Sequence, residues 1–426
     1  MSERILLCLA HMSGREMDFI KEAFDDNWVV PLGPNVNGFE RDLEDFVNRR
    51  DGAEPLHKKV VALSAGTAAV HLALIACGVE PGDEVLVQSF TFCASSHPVT
   101  YLGATPVFID SEKESWNMDP ELLDEAIKDR IAKTGCKPKA IIPVALYGMP
   151  YQIDRILEIA DRYGIPVIED AAEGFGSMYK GQVLGTFGEY SVLSFNGNKM
   201  ITTSGGGALV CPDADKAREI LWYATQARES YPYYQHEAIG YNYRMSNICA
   251  GIGRGQMTIV DEHIAHHRHV QALYEELLKD VKGITMHTNP GPEYDSNYWL
   301  CTATLDPDLR IKGQENAYKQ IITGAVGGAA GVTHTVATAT TDCQPNDNVE
   351  ALRMALDAAN IESRPLWKPM HRQPVYRDNP AYTNGVSESL FRVGICLPAG
   401  PWVTDAHVRY IVDQIKAAID WNQIKD

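Results

Sequence analysis

The chain has 426 residues, 45% of them hydrophobic and 22% charged, which excludes wholesale disorder, a collagen-like repeat and a coiled coil and predicts a soluble globular protein with more than one unit. Thirty-eight Lys and Arg stand against 56 Asp and Glu, a formal net charge of −18; with no Lys/Arg-rich run to offset it, no nucleic-acid partner is expected. Nine cysteines without a C-x-x-C pair predict reduced thiols and a cytoplasmic location, and no membrane association is expected because no apolar stretch approaches the roughly 18 residues a bilayer needs. The apolar run 5–10 is too short for a signal-peptide core.

From about residue 59, short apolar runs alternate with amphipathic stretches punctuated by Gly and Pro, the pattern of an α/β domain with a mainly parallel sheet. Seven strands are predicted, at 59–63, 84–88, 105–109, 140–146, 166–168, 191–195 and 207–211, with helices at 67–77, 120–133 and 153–162. After 245 the strands stop and one long helical pattern covers 246–280, so the domain boundary is placed near 275: 1–275 form a large domain and 276–426 a small one. The small domain carries a strand at 298–304, a helix at 348–359 and a final amphipathic helix at 405–421. The stretch 323–341, rich in Gly, Ala, Val and Thr, reads as an insertion or loop in preference to an active-site flap.

Three features carry chemistry. The run 61–70 (VALSAGTAAV) is a strand, a turn at Gly66-Thr67 and a helix; such a turn presents the first amides of the helix, and its dipole, to a phosphate. The run 166–173 (PVIEDAAE) ends a buried strand in acids, which places Asp170 where ligands gather in open α/β sheets, with a helix N-cap as the plainer reading. The run 190–199 (YSVLSFNGNK) puts Lys199 just after another apolar strand and ahead of a Gly-rich turn. Together they are the parts that hold pyridoxal phosphate: a lysine for the Schiff base, a carboxylate for the pyridine nitrogen, and a phosphate cradle.

The chain resembles the DegT-type sugar aminotransferases in the motifs 27–34 (NWVVPLGP), 65–69 (AGTAA), 81–85 (PGDEV), Thr91-Phe92, 169–172 (EDAA), 194–199 (SFNGNK) and 240–247 (GYNYRMSN). The resemblance implies a fold type I pyridoxal-phosphate transferase, with a mainly parallel seven-stranded sheet in the large domain and a smaller α+β C-terminal domain. It implies that Lys199 is the Schiff-base lysine and proton carrier and that Asp170 pairs with the pyridine nitrogen. Gly66, Thr67 and Ser194 would bind phosphate and Phe92 would stack on the cofactor ring. Glu173, where many relatives carry His, would also contact the cofactor; Asn196 departs from the same pattern. Asn242 and Arg244 would reach across a homodimer interface to the neighbouring phosphate. The stretch 362–371 (ESRPLWKPMH) is similar to enzymes that aminate C4 of a UDP-linked 4-keto-6-deoxy sugar, which implies Trp367, Lys368 and His371 as substrate contacts. A ping-pong cycle through pyridoxamine phosphate follows, with glutamate as amino donor. A sugar dehydratase using the same cofactor and a non-catalytic regulatory protein of the same fold are the alternatives; family members that deoxygenate carry histidine in place of the lysine, and Lys199 argues against them.

The run 263–269 (HIAHHRH) has two histidines four apart but no H-E-x-x-H pattern, so it reads as a solvated helix face and no metal is expected. Cys93 reads as a packing residue.

Overall fold

The computed structural model describes residues 3–318, 323–325, 333–335 and 343–421. Its central sheet contains β1 (Lys59–Leu63), β2 (Glu84–Gln88), β3 (Thr105–Ile109), β4 (Ala140–Ile142), β5 (Ile168–Asp170), β6 (Tyr190–Ser194) and β7 (Gly207–Cys211). These strands are almost wholly buried, which explains their continuous apolar runs: helices cover both faces.

Two four-stranded ladders make up the sheet. One holds β4, β2, β3 and a two-residue edge strand, Ala381–Tyr382, all parallel. The other holds β5 and β6 in parallel, then β7 and β1, with β7 antiparallel to both neighbours. Parallel bridges at Ile141–Val167 and Val144–Asp170 join the ladders. The expectation of seven strands is thus corrected by one, because the C-terminal part of the chain returns to pair with β3. Its two residues are too few to show a period of two in the sequence.

Helix boundaries follow local chemistry. Asp119 caps Pro120–Thr134 by accepting from the amides of Glu121 and Leu122, and Gly135 ends that helix at φ 74°. The expected single helix over 246–280 is two, Asn247–Met257 and Val260–Leu278. Ser246 caps the first by accepting from the Cys249 amide, and the break at Thr258 and Ile259 redirects the second out of the sheet domain.

That second helix spans two cores. Val260 and Ile264 pack with the sheet; Val270, Leu273, Tyr274 and Leu278 pack with Ile395, Leu397 and the helix Asp405–Ala418. The second core is backed by an antiparallel sheet ordered Ile284–Met286, Cys301–Leu305, Gly394–Leu397, Arg364–Pro365. Ile5 joins this core and bridges to Ile361. Within the predicted loop at 323–341, Thr323–Ala325 and Thr333–Thr335 pair antiparallel; the rest of that prediction lies outside the described residues. Among the described residues, no helix is long and apolar enough to cross a membrane.

Candidate active site

The strands β1, β5 and β6 end on one side of the sheet, and a cavity of about 350 Å³ opens there, of a size usual for small-ligand sites. Gly66, Thr67, Phe92, Asp170, Glu173, Ser194, Lys199 and Trp367 all line it. Residues as far apart in the chain as Gly66 and Trp367 thus meet where an open α/β sheet collects functional groups.

One wall is the N-terminus of the helix Gly66–Ala76. Ala65 occupies the N-cap without a side-chain cap bond, so the first amides of the helix lack protein acceptors and carry the positive end of its dipole. Ser194 stands beside them: a Cβ added to Gly66 would lie 3.2 Å from the Ser194 Cβ. At Gly207 a Cβ would lie 2.4 Å from the Gly66 amide nitrogen, so only glycine lets β7 pass this close to the cradle.

Asp170 ends β5, 4% exposed. Burial pushes its carboxyl up from the ordinary range; Ser95, the Ala172 amide and the positive charge of Lys199 pull it back. The Ser95 hydroxyl donates to Asp170 Oδ2 at 2.6 Å and the Ala172 amide donates to Oδ1 at 3.1 Å. Thr91 Oγ1 lies 2.9 Å from Ser95 Oγ and extends the chain of hydrogen bonds.

Lys199 follows β6, its side chain 13% exposed, with Nζ 3.3 Å from Glu173 Oε1. Glu173 is buried, and this pushes its carboxyl up against the opposing charge of Lys199 and the Tyr147 amide, which donates to Oε2 at 2.7 Å. Tyr147 holds φ 55°, an unusual conformation for a bulky residue that aims its amide at the acid. Its hydroxyl accepts from the Trp367 amide at 2.7 Å. Phe92 stands half exposed at the mouth, its ring 5.5 Å from that of Trp367.

Other expected contacts fall elsewhere. Lys368 and His371 do not line the cavity. His371 packs with Nδ1 2.7 Å from Ser89 Oγ and Nε2 3.2 Å from Glu388, so both ring nitrogens have protein partners. Asn242 is exposed and bridges to Thr225. The Arg244 side chain is 8% exposed and paired with Glu40 of its own chain, and it donates to the Ala62 carbonyl at 3.0 Å. His263 and His267 are buried, contrary to the solvated face expected. His267 Nδ1 donates to the Tyr298 carbonyl at 3.1 Å, and burial pushes its pKa down to about 3. The Cys93 thiol is pushed up by burial, as suits a packing residue. Among the described residues no group of three or more His, Cys, Asp or Glu is placed to hold a metal.

Sequence reasoning missed Ser95, Tyr147 and Trp299. Ser95 lies on the turn Cys93–Ser95 just beyond the carboxyl end of β2, so the strand-end rule that found Asp170 reaches it too. Trp299 lies in the second half of the chain and has no such local signal.

These residues fit pyridoxal phosphate. The uncapped helix end and Ser194 suit the phosphate, Asp170 the pyridine nitrogen, Phe92 the ring face and Lys199 the aldehyde carbon. Bound there, the cofactor supplies an electron sink. With the cofactor there, Lys199 would be in place to hold and return a proton at the reacting carbon, and Asp170 to keep a protonated nitrogen charged.

A lysine amine and a buried strand-end carboxylate facing one cavity beside a helix N-terminus define a pyridoxal-phosphate enzyme of fold type I. Residues 11–323 and 314–416 match the DegT/DnrJ/EryC1/StrS aminotransferase family, and the chain belongs to it. It is 42% identical over 412 residues to EpsN of Bacillus subtilis (strain 168), by name a pyridoxal phosphate-dependent aminotransferase, covering 95% of this chain and 93% of that one. It is 33% identical to the GDP-perosamine synthase of Escherichia coli O157:H7, with 95% of each covered. A crystal structure of a DegT DnrJ EryC1 StrS aminotransferase from Brucella abortus superposes with a TM-score of 0.79 at 27% identity, over 95% of each chain. The protein is a pyridoxal-phosphate-dependent sugar aminotransferase.

Proposed function

We propose that the protein transfers the amino group of glutamate to C4 of a UDP-linked 4-keto-6-deoxy sugar in the cytoplasm, as a homodimer. The observation that carries the chemistry is the placing of Lys199, Asp170 and the Gly66–Thr67 helix end around one cavity. Lys199 then serves both half-reactions, taking a proton from the donor's α-carbon and giving one to the sugar's C4. Gly66, Thr67 and Ser194 hold the phosphate, Phe92 stacks on the cofactor ring, Glu173 orients the Lys199 amine, and Trp367 stands at the rim that receives the sugar. Asn242, exposed on its own subunit, contacts the neighbour's phosphate, so each site is completed by two chains. The division of the chain near 275 separates the cofactor domain from the cap.

The UDP assignment rests on the stretch 362–371. A GDP-linked sugar is the second reading, favoured by the 33% identity to a GDP-perosamine synthase. Assay of amine transfer from glutamate to UDP- and GDP-linked 4-keto-6-deoxy sugars separates them: faster turnover of the UDP sugar is expected, and preference for the GDP sugar refutes the assignment. Sedimentation of the purified chain tests the dimer.

A further inference from the structure

The turn 296–299, whose Trp299 packs in the core of the sheet domain, reaches the cavity and grips the loop that carries the lysine. Asn297 Nδ2 donates to the carbonyls of Glu173 and Phe175, both at 2.9 Å, and its Oδ1 accepts from the Trp299 amide at 2.8 Å. Tyr298 is held at φ 50° between them. Trp299, 2% exposed, donates its indole N–H to the Asn198 carbonyl at 2.6 Å and lays its ring under Lys199, with Nζ 3.9 Å from the centroid.

We propose that Trp299 is a positioning residue for Lys199: its N–H pins the backbone next to the lysine, and its ring face holds the freed amine beside the reaction centre once it has taken up a proton. The proposal rests on Lys199 being the reactive amine, not on any particular sugar.

A ring face attracts a cation more strongly where water is excluded, and indole is the strongest of the natural rings. The other groups facing Lys199 are Glu173 at 3.3 Å, Asp170 and Cys8 of the N-terminal segment. Burial pushes the Cys8 thiol up to about 12, so it stays neutral across the working range. Glu173 therefore supplies a buried counter-charge while Trp299 supplies an uncharged attraction that cannot take the proton. An amine so held stays beside the reaction centre between half-reactions instead of swinging to solvent.

The test replaces the chain's seven tryptophans with 5-fluoro- and then 5,6,7-trifluorotryptophan, which drains the ring face while leaving volume and N–H in place. The full chain, freed of cofactor with hydroxylamine, is labelled with acetic anhydride across pH, and the Lys199 peptide is read by mass spectrometry. The labelling midpoint of Lys199 is expected to fall stepwise with fluorination, by about 0.5–1 pH unit in all, and to stay fixed when the series is repeated in Trp299→Phe. A midpoint unmoved by fluorination, or one that moves equally in Trp299→Phe, overturns the proposal. The readout needs no sugar substrate, so a wrong substrate assignment leaves it intact.

Discussion

Ser95 Oγ donates a 2.6 Å hydrogen bond to Asp170 Oδ2 across 75 residues of sequence, with both side chains buried. Burial alone would favour the neutral acid, and a neutral acid cannot keep the pyridine nitrogen charged. Ser95→Ala removes a donor to a charged group, worth about 1.5–3 kcal/mol. The expected result is a fall in kcat of at least about tenfold with the Lys199 bond to cofactor still trapped by borohydride; unchanged kcat contradicts the role given to Ser95.

Arg244 and Glu40 form the second relationship that matters for stability. Arg244 Nη2 donates to Glu40 Oε2 at 3.1 Å, Nη1 contacts Oε1, and the Ala62 amide donates to the same carboxylate at 2.8 Å. Removing one partner of such a pair leaves the other charge uncompensated, at a cost of about 3 kcal/mol. Arg244→Ala is expected to lower the urea-unfolding free energy by that order, and Arg244→Met with Glu40→Gln to recover much of it. A loss confined to cofactor affinity, with stability intact, would contradict this structural role and favour the one across a dimer interface.

The buried histidines set the acid side of the stability curve. Burial lowers His267 to about 3 and His287 to about 4, against roughly 6.5 in the unfolded chain. Between those values the unfolded state binds more protons, so stability falls as pH drops from about 6.5 towards 4, by about 1.4 kcal/mol per pH unit for each histidine. His267→Gln is expected to flatten the slope by about that amount between pH 4 and 6, read from urea unfolding at each pH. An identical slope in the variant shows that His267 does not hold the depressed value.

The side of the site nearest in sequence to the cofactor was legible because each part is a local event. A strand ends at Asp170 and at Ser194, a glycine turns into a helix at Gly66, and Lys199 follows within one loop. Ser95 lay within reach of the strand-end rule, though its bond to Asp170 spans 75 residues; Trp299 was hidden because its work is done across 101 residues, where only the tertiary fold decides which side chain meets which. The pairing of Arg244 with Glu40 was hidden for the same reason: a motif match identifies the residue, but its partner lies 204 positions away. The histidines on Val260–Leu278 look solvated by their polarity, yet the Tyr298 and Met200 carbonyls cover that face and supply hydrogen-bond partners.

The most direct test of the central claim is borohydride reduction of the pyridoxal-phosphate holoenzyme, followed by peptide mass spectrometry, before and after addition of glutamate. The cofactor is expected to be fixed to Lys199 before the donor is added and released as pyridoxamine phosphate afterwards, with Lys199→Ala showing neither. Reduction that fixes the cofactor to another lysine, or a Lys199→Ala enzyme that still aminates a nucleotide-linked keto sugar, would contradict the assignment.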